Sequence, residues 1–435
     1  MGVRVRSNRP DQSYEQGQAE RQRSIEDRIS TQVREELDFS REMSDQEVYD
    51  CIDKVILRED RRFHVGVREK TVIRERVFNR LRRLDILQEF LEDDQITEIM
   101  VNRYDCIFIE KNGRLFQSEK RFSSRERYED VVQQIVSKAN RIVNRSSPIV
   151  DARLIDGSRV NVILEPVALD GTTMTIRKFA DRGWTMDKLI EMGSLDQTLA
   201  EYFRLLVLAG YNIIVSGGTG SGKTTILNLL SEFIPEEERV VTIEDSAELN
   251  LRNLPNLVRL ETRDANVEGE NQIRIQDLIR ASLRMRPSRI IVGEVRGGEA
   301  FPMIQAAMNT GHDGSLSTCH ANSCQDAVSR LETMVLMGCE MPLQAIRSQI
   351  SSAIDIFIHL GRLRDRSRRV VEVSEVIGKE QGEVLLEPLF LFEETGEREG
   401  RIQGHWQKIN PLFHRTKLQL SGYLEEFEQL EGQNG

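Results

Sequence analysis

With 435 residues, 39% apolar and 30% charged, the chain is long enough for two to four domains at about 100–200 residues each, and too large and too apolar for a disulfide miniprotein or wholesale disorder. Its 60 Lys and Arg against 71 Asp and Glu leave a net charge of −11, mixed in sign along the chain, which argues against a chain-wide nucleic-acid footprint. No run reaches the ~18 uncharged apolar residues of a membrane-spanning helix, and residues 1–30 hold no apolar signal-peptide core, so a cytosolic protein is expected.

Residues 1–45 interleave Arg with Glu and Asp without sustained apolar periodicity, and a frayed or weakly helical leader, mobile when alone, is expected there. Over 46–92 apolar residues such as Val48, Ile52, Val55, Val77, Phe78, Leu84 and Leu87 recur at helical spacing, predicting a small helical bundle. The period then changes. Over 93–180, Ile96–Asn102, Ile107–Glu110 and Arg159–Leu164 read as short strands around Asn-Gly and Asp-Gly turns, with a helix over Arg125–Asn144, which makes an α+β N-terminal domain. Residues 181–196, with Gly183, Trp184 and Gly193, read as a linker. From 197 to 360 apolar strands alternate with amphipathic helices, the pattern of a parallel sheet covered on both faces. Residues 361–435 open with the basic run Arg362–Arg369, continue with strands over Val370–Ile377 and Leu385–Phe392, and end in a helix near 417–430. Cys51, Cys106, Cys319, Cys324 and Cys339 are dispersed and contain no Cys-x-x-Cys pair, which fits a reducing compartment and no structural zinc. Cys319, His320 and Cys324 are close in sequence but lack a fourth ligand, and read as small residues at a strand end.

The strongest signal is Gly217-Gly218-Thr219-Gly220-Ser221-Gly222-Lys223-Thr224, a G-x-x-x-x-G-K-[ST] match between an apolar strand, Tyr211–Ser216, and a helix that starts at Thr225. Glycines let backbone N–H groups close around phosphate oxygens, and the helix N-terminus adds about half a positive charge. Lys223 is expected to reach the β and γ phosphates, and Thr224 to place its hydroxyl on Mg²⁺. Such a loop predicts a nucleoside triphosphate site without separating a motor from a kinase, GTPase or ligase.

Ligands of open α/β sheets sit at the carboxyl ends of strands, so carboxylates that close an apolar strand are candidates for metal or water chemistry. Arg239–Asp245 ends in Glu244 and Asp245, and Arg289–Glu294 ends in Gly293 and Glu294. Gly293 stands where a Walker B Asp is usual, so magnesium is expected to rest on Thr224, phosphates and water, with Glu294 near the metal and directed at the attacking water. A third strand, Gly314–His320, ends in His320 and follows Thr310-Gly311-His312-Asp313, so two histidines bracket it.

Together the P-loop Gly217–Thr224, the acidic box Thr242–Leu249, the pair Gly293-Glu294 and the His box from Thr310 to Ser323 resemble, in content and order, the secretion ATPases of type II and type IV systems and type IV pili. Pro148–Asn161, Thr175–Phe179 and Val292–Ala300 are similar to the CpaF branch, which serves Tad/Flp pilus assembly. The resemblance implies a RecA-like core, ATP and Mg²⁺ as ligands, and a ring, usually a homohexamer, in which nucleotide lies between the N-terminal domain and the core. It gives Glu294 and Glu244 to water and metal, His320 to the γ-phosphate, and Arg153, Arg159 and Arg177 to the phosphates, with His312, Asp245 and Arg296 as further motif positions. It also implies a motor at the cytoplasmic face of the membrane, working through polytopic inner-membrane platform proteins.

Two rivals remain at this level. A nucleic-acid helicase or translocase shares a RecA-like core, but should carry a basic groove with interleaved aromatics. Aromatics are 6% of this chain, and the clusters Arg74–Arg83 and Arg362–Arg369 are poor in them, so no nucleic-acid partner is expected. A regulatory nucleotide-binding protein without turnover would account for the missing Walker B Asp.

Overall fold

The structure is a computed structural model that describes residues 25–37, 43–63, 65–111, 113–139, 141–178, 183–251, 253–263, 265, 270–308 and 311–432. The chain divides into two compact units, Met1–Ala180 and Asp181–Gly435, each taken by itself below.

The first unit opens with helices over residues 25–36, Asp45–Phe63 and Val67–Arg82. The first of them falls in the expected frayed or weakly helical leader over 1–45 and is packed where mobility was expected; residues 1–24 and 38–42 of that leader lie outside the described residues. Ile25, Ile29, Val33 and Leu37 stand four apart and are buried against Val48, Ile52, Val55, Ile73 and Phe78. Only polar residues separate them, so the apolar stripe is one residue wide and vanishes in any window average. Salt bridges from Arg76 to Glu26 (2.8 Å) and from Arg80 to Asp27 (2.5 Å) hold the helix on its neighbour.

A six-stranded antiparallel sheet follows: β1 Ile96–Arg103, β2 Cys106–Lys111, β3 Arg114–Gln117, β4 Ile149–Arg153, β5 Arg159–Ile163 and β6 Thr173–Arg177, in spatial order β3-β2-β1-β6-β5-β4. Its inward residues Ile99, Val101, Val160, Val162 and Ile176 share a core with Tyr128, Val132 and Ile135 of the helix Arg125–Lys138. That helix is shorter than the expected Arg125–Asn144. The Asn144 side chain accepts the backbone N–H groups of Ser146 and Ser147 (2.8 and 2.9 Å), a local turn that competes with helix.

In the second unit, the expected linker 181–196 contributes a capped helix, Met186–Glu191, with Leu189 and Leu195 buried in the core; residues 181–182 lie outside the described residues. The sheet has nine strands: β7 Ile213–Gly217, β8 Val240–Glu244, β9 Leu257–Glu261, β10 Arg289–Val295, β11 Leu316–His320, β12 Ile356–Arg362, β13 Arg368–Glu380, β14 Glu383–Arg398 and β15 Arg401–Lys408, in order β15-β14-β13-β12-β7-β11-β10-β8-β9. Strands β12, β7, β11, β10, β8 and β9 are parallel. Ile213 and Val215 enter one apolar cluster and Ile214 the other, as a strand covered on both faces requires.

The boundary expected at 360/361 is also corrected. Strands β13, β14 and β15 continue the same sheet as an antiparallel meander. The closing helices Thr416–Ser421 and Leu424–Gly432 bury Leu418 and Phe427 in the core shared with the helix Gln197–Leu208.

Candidate active site

Strand β7 lies at the middle of the nine, with β11 and β12 as its neighbours, and the parallel register sets His320 and Leu360 opposite Gly217. Gly217 has φ +153°, and a Cβ there would stand 2.5 Å from the Leu360 carbonyl oxygen and 2.6 Å from Ser221 Oγ. Only glycine fits where the strand turns into the loop. Gly222, also at positive φ, leads into the helix Lys223–Ser231, whose first N–H groups and partial positive charge make the loop an anion cradle.

Lys223 Nζ donates to the carbonyls of Gly217 and Gly218 (3.2 and 3.1 Å) and lies 3.4 Å from His320 Nδ1. His320 Nε2 is 2.8 Å from Glu294 Oε1, and Arg296 donates to Glu294 Oε2 at 2.6 Å. A neutral imidazole can accept from Lys223 on Nδ1 while its Nε2 stays in close contact with Glu294 Oε1, which has no hydrogen-bond partner of its own. Burial, reinforced by the Lys223 charge, holds the His320 imidazole below its usual range and favours that neutral form.

Glu294 owes its aim to a bulge. Between Val292 and Val295 three steps of β10 oppose two of β11, and Thr318 Oγ1 pins the Gly293 carbonyl at 2.8 Å. Bulges re-aim side chains beside active sites.

Register also places Ile243 opposite Val292, hence Glu244 beside Gly293. A Cβ on Gly293 would lie 3.0 Å from Glu244 Cγ, so the glycine at the Walker B position leaves room for the neighbouring strand's carboxylate. Glu244 is 3% exposed. Its Oε1 accepts the N–H groups of Glu248 (2.7 Å) and Leu249 (2.8 Å), while Oε2 is buried with no hydrogen-bond partner. Burial pushes its carboxyl up, with the two N–H donors opposing.

Thr224 Oγ1 donates to Glu248 Oε2 at 3.3 Å. A hydroxyl that gives its proton to a carboxylate keeps its lone pairs for a hard cation. Thr224 and Glu248 therefore fit magnesium carried by a nucleotide, which takes one or two protein oxygens and completes its shell with phosphate and water. Among the described residues, no three or more His, Cys, Asp or Glu converge as a metal cage.

Other expected positions are dispersed. Asp245 is exposed and accepts from Thr262 Oγ1 (2.9 Å). His312 precedes β11, at the end of the sheet away from the loop, and its Nδ1 lies 3.1 Å from the Pro287 carbonyl; the bracketing pair of histidines is not brought together, and Thr310 lies outside the described residues. In the first unit, Arg153 pairs with Arg159 and Arg159 with Arg177 across β4, β5 and β6, so three arginines form one cross-strand row. Like charges directly opposite one another cost stability. The reading from sequence missed Glu248, which closes no strand, and Arg368, which donates to the Gly220 carbonyl at 2.7 Å from within the basic run.

Comparison with known proteins agrees with this geometry. A family model described as "Type II/IV secretion system protein" matches residues 81–397. The chain is similar to a putative conjugal transfer protein of Mycobacterium tuberculosis, 34% identical over 305 residues that cover 69% of this chain and 86% of that protein. It is also similar to the type IV secretion system protein PtlH of Bordetella pertussis, 34% identical over 320 residues, 67% of this chain and 93% of that protein. Among solved structures, the pilus retraction motor PilT with bound ADP matches in fold, with TM-score 0.50 and 19% identity over 81% of this chain and 89% of that one. Among the described residues no helix is long and apolar enough to cross a membrane.

Proposed function

The chain belongs to the type II/IV secretion system protein family and is an ATPase of the secretion and pilus motor kind, and from this we propose that it powers assembly of a Tad/Flp-type pilus. Supporting that narrower reading are Pro148–Asn161, Thr175–Phe179 and Val292–Ala300, which resemble the CpaF branch. The observation that carries the ATPase chemistry is the meeting of P-loop Lys223 with His320 and Glu294 at the carboxyl ends of the adjacent strands β11 and β10, with Thr224 bonded to Glu248.

In this proposal the glycine N–H groups and Lys223 hold the triphosphate, and Glu294 orients or deprotonates the attacking water. His320 hands Lys223 and Glu294 to one another, so arrival of a γ-phosphate at Lys223 is felt at Glu294. Thr224 and Glu248 would hold the magnesium that accompanies ATP, and the ion would supply neutralisation of charge developing on the phosphates. Arg153, Arg159 and Arg177 add positive charge for the same phosphates. The active species is a homo-oligomeric ring, a hexamer, working at the cytoplasmic face of the membrane through polytopic platform proteins. The family match takes the place of the helicase reading.

The test is genetic and chemical at once. Deletion in the source organism should remove surface fibres, the parental gene should restore them, and Glu294→Gln should not. The purified Glu294→Gln chain should bind nucleotide and release phosphate about a hundredfold or more slowly. Fibres that persist in the deletion strain would refute the pilus assignment, and parental phosphate release by Glu294→Gln would refute the role of Glu294.

A further inference from the structure

Two carboxylates of the segment that ends β8, the buried Glu244 and the half-buried Glu248, are bonded differently. Glu248 accepts directly from Thr224. Glu244 has one oxygen committed to two backbone N–H groups of its own following loop, at Glu248 and Leu249, and its side chain lies sunk between β8 and the glycine gap of β10.

The structure assigns Glu244 a positioning role: its Oε1 fixes the backbone that presents the Glu248 carboxylate to Thr224, and its charge does not act on substrate or cation. The assignment rests on reading the loop as the site of ATP hydrolysis with a divalent cation at Thr224. Its reasoning is geometric. The amide of residue 248 is the first atom of the residue whose carboxylate must reach Thr224, so an acceptor on that amide sets where the Glu248 side chain starts. The adjacent amide of Leu249, held by the same oxygen, stops the loop from rotating about a single bond. An amide oxygen can accept the same two N–H groups, whereas it cannot replace a charged metal ligand. Glutamine matches Glu244 in length and shape and keeps an acceptor oxygen, which makes it a close stand-in.

Binding of a fluorescent ADP analogue to the full-length chain, in EDTA and in magnesium, separates the roles. Glu248→Ala should lose about tenfold or more of the affinity gained from magnesium, the scale of outer-shell changes at metal sites, with little change in EDTA. Glu244→Ala should lose a similar share. Glu244→Gln should retain the gain to within about threefold, because its amide oxygen keeps both backbone hydrogen bonds. Rescue by glutamine supports positioning. A Glu244→Gln chain with parental melting temperature and the full loss would overturn it, since only the charge has changed; the same holds if Glu244→Ala fails to fold, because the glutamine comparison stands alone. An undiminished magnesium gain in Glu248→Ala would also overturn it. Lys223→Ala is the separate control: it should lose affinity in EDTA and magnesium alike, and parental binding there would sink the P-loop reading itself.

Discussion

His359 sits on β12 one register step from the P-loop, with Nδ1 2.9 Å from Ser216 Oγ. Burial holds its imidazole below the usual range. Below about pH 6.5 the unfolded chain therefore takes up a proton that the folded chain refuses, and stability falls as pH drops. His359→Gln should lose less melting temperature than the parent between about pH 7.5 and pH 5.5, while His320, shifted in the same direction, leaves a residual slope. Parallel curves for parent and variant would clear His359. At this scale the glycines and Lys223 were legible because their spacing is itself the chemistry. Glu248 was not, because its contact with Thr224 is made by a loop that closes no strand, and Arg368 was not, because nothing local sets it apart from the other arginines of its run.

Among elements, β10 does most to build the site, and one residue anchors its start. Arg289 is almost fully buried, paired through two nitrogens to Glu238 (2.5 and 2.7 Å) and to the Val207 carbonyl at 2.7 Å. Gly314, at φ +84°, packs so closely that a Cβ would lie 2.4 Å from the guanidinium. Removing one partner of a buried ion pair costs about 3–5 kcal/mol, so Arg289→Ala should destabilise the second unit by that order in chemical denaturation; a change under about 1 kcal/mol would show that the pair behaves as a surface one. Parallel strands with flanking helices were readable from their unbroken apolar runs. The helix over 25–36 was hidden by its single-residue stripe, and the meander's membership of the main sheet was hidden because a strand's partner is not encoded in its own alternation.

Across the whole molecule, the arginine row belongs to the first unit and the P-loop to the second. Arg159→Ala and Arg177→Ala should each lower turnover, by up to about a thousandfold if they serve the γ-phosphate, while the second unit keeps its melting transition and ADP affinity. Unchanged turnover in both would return the row to ordinary surface charge. The Leu360 carbonyl walls Gly217 from β12, and Arg368, at the start of β13, grips the Gly220 carbonyl. A displacement of β12 or β13 would therefore bear directly on the P-loop, through the Leu360 carbonyl and the Arg368 guanidinium, without leaving the sheet.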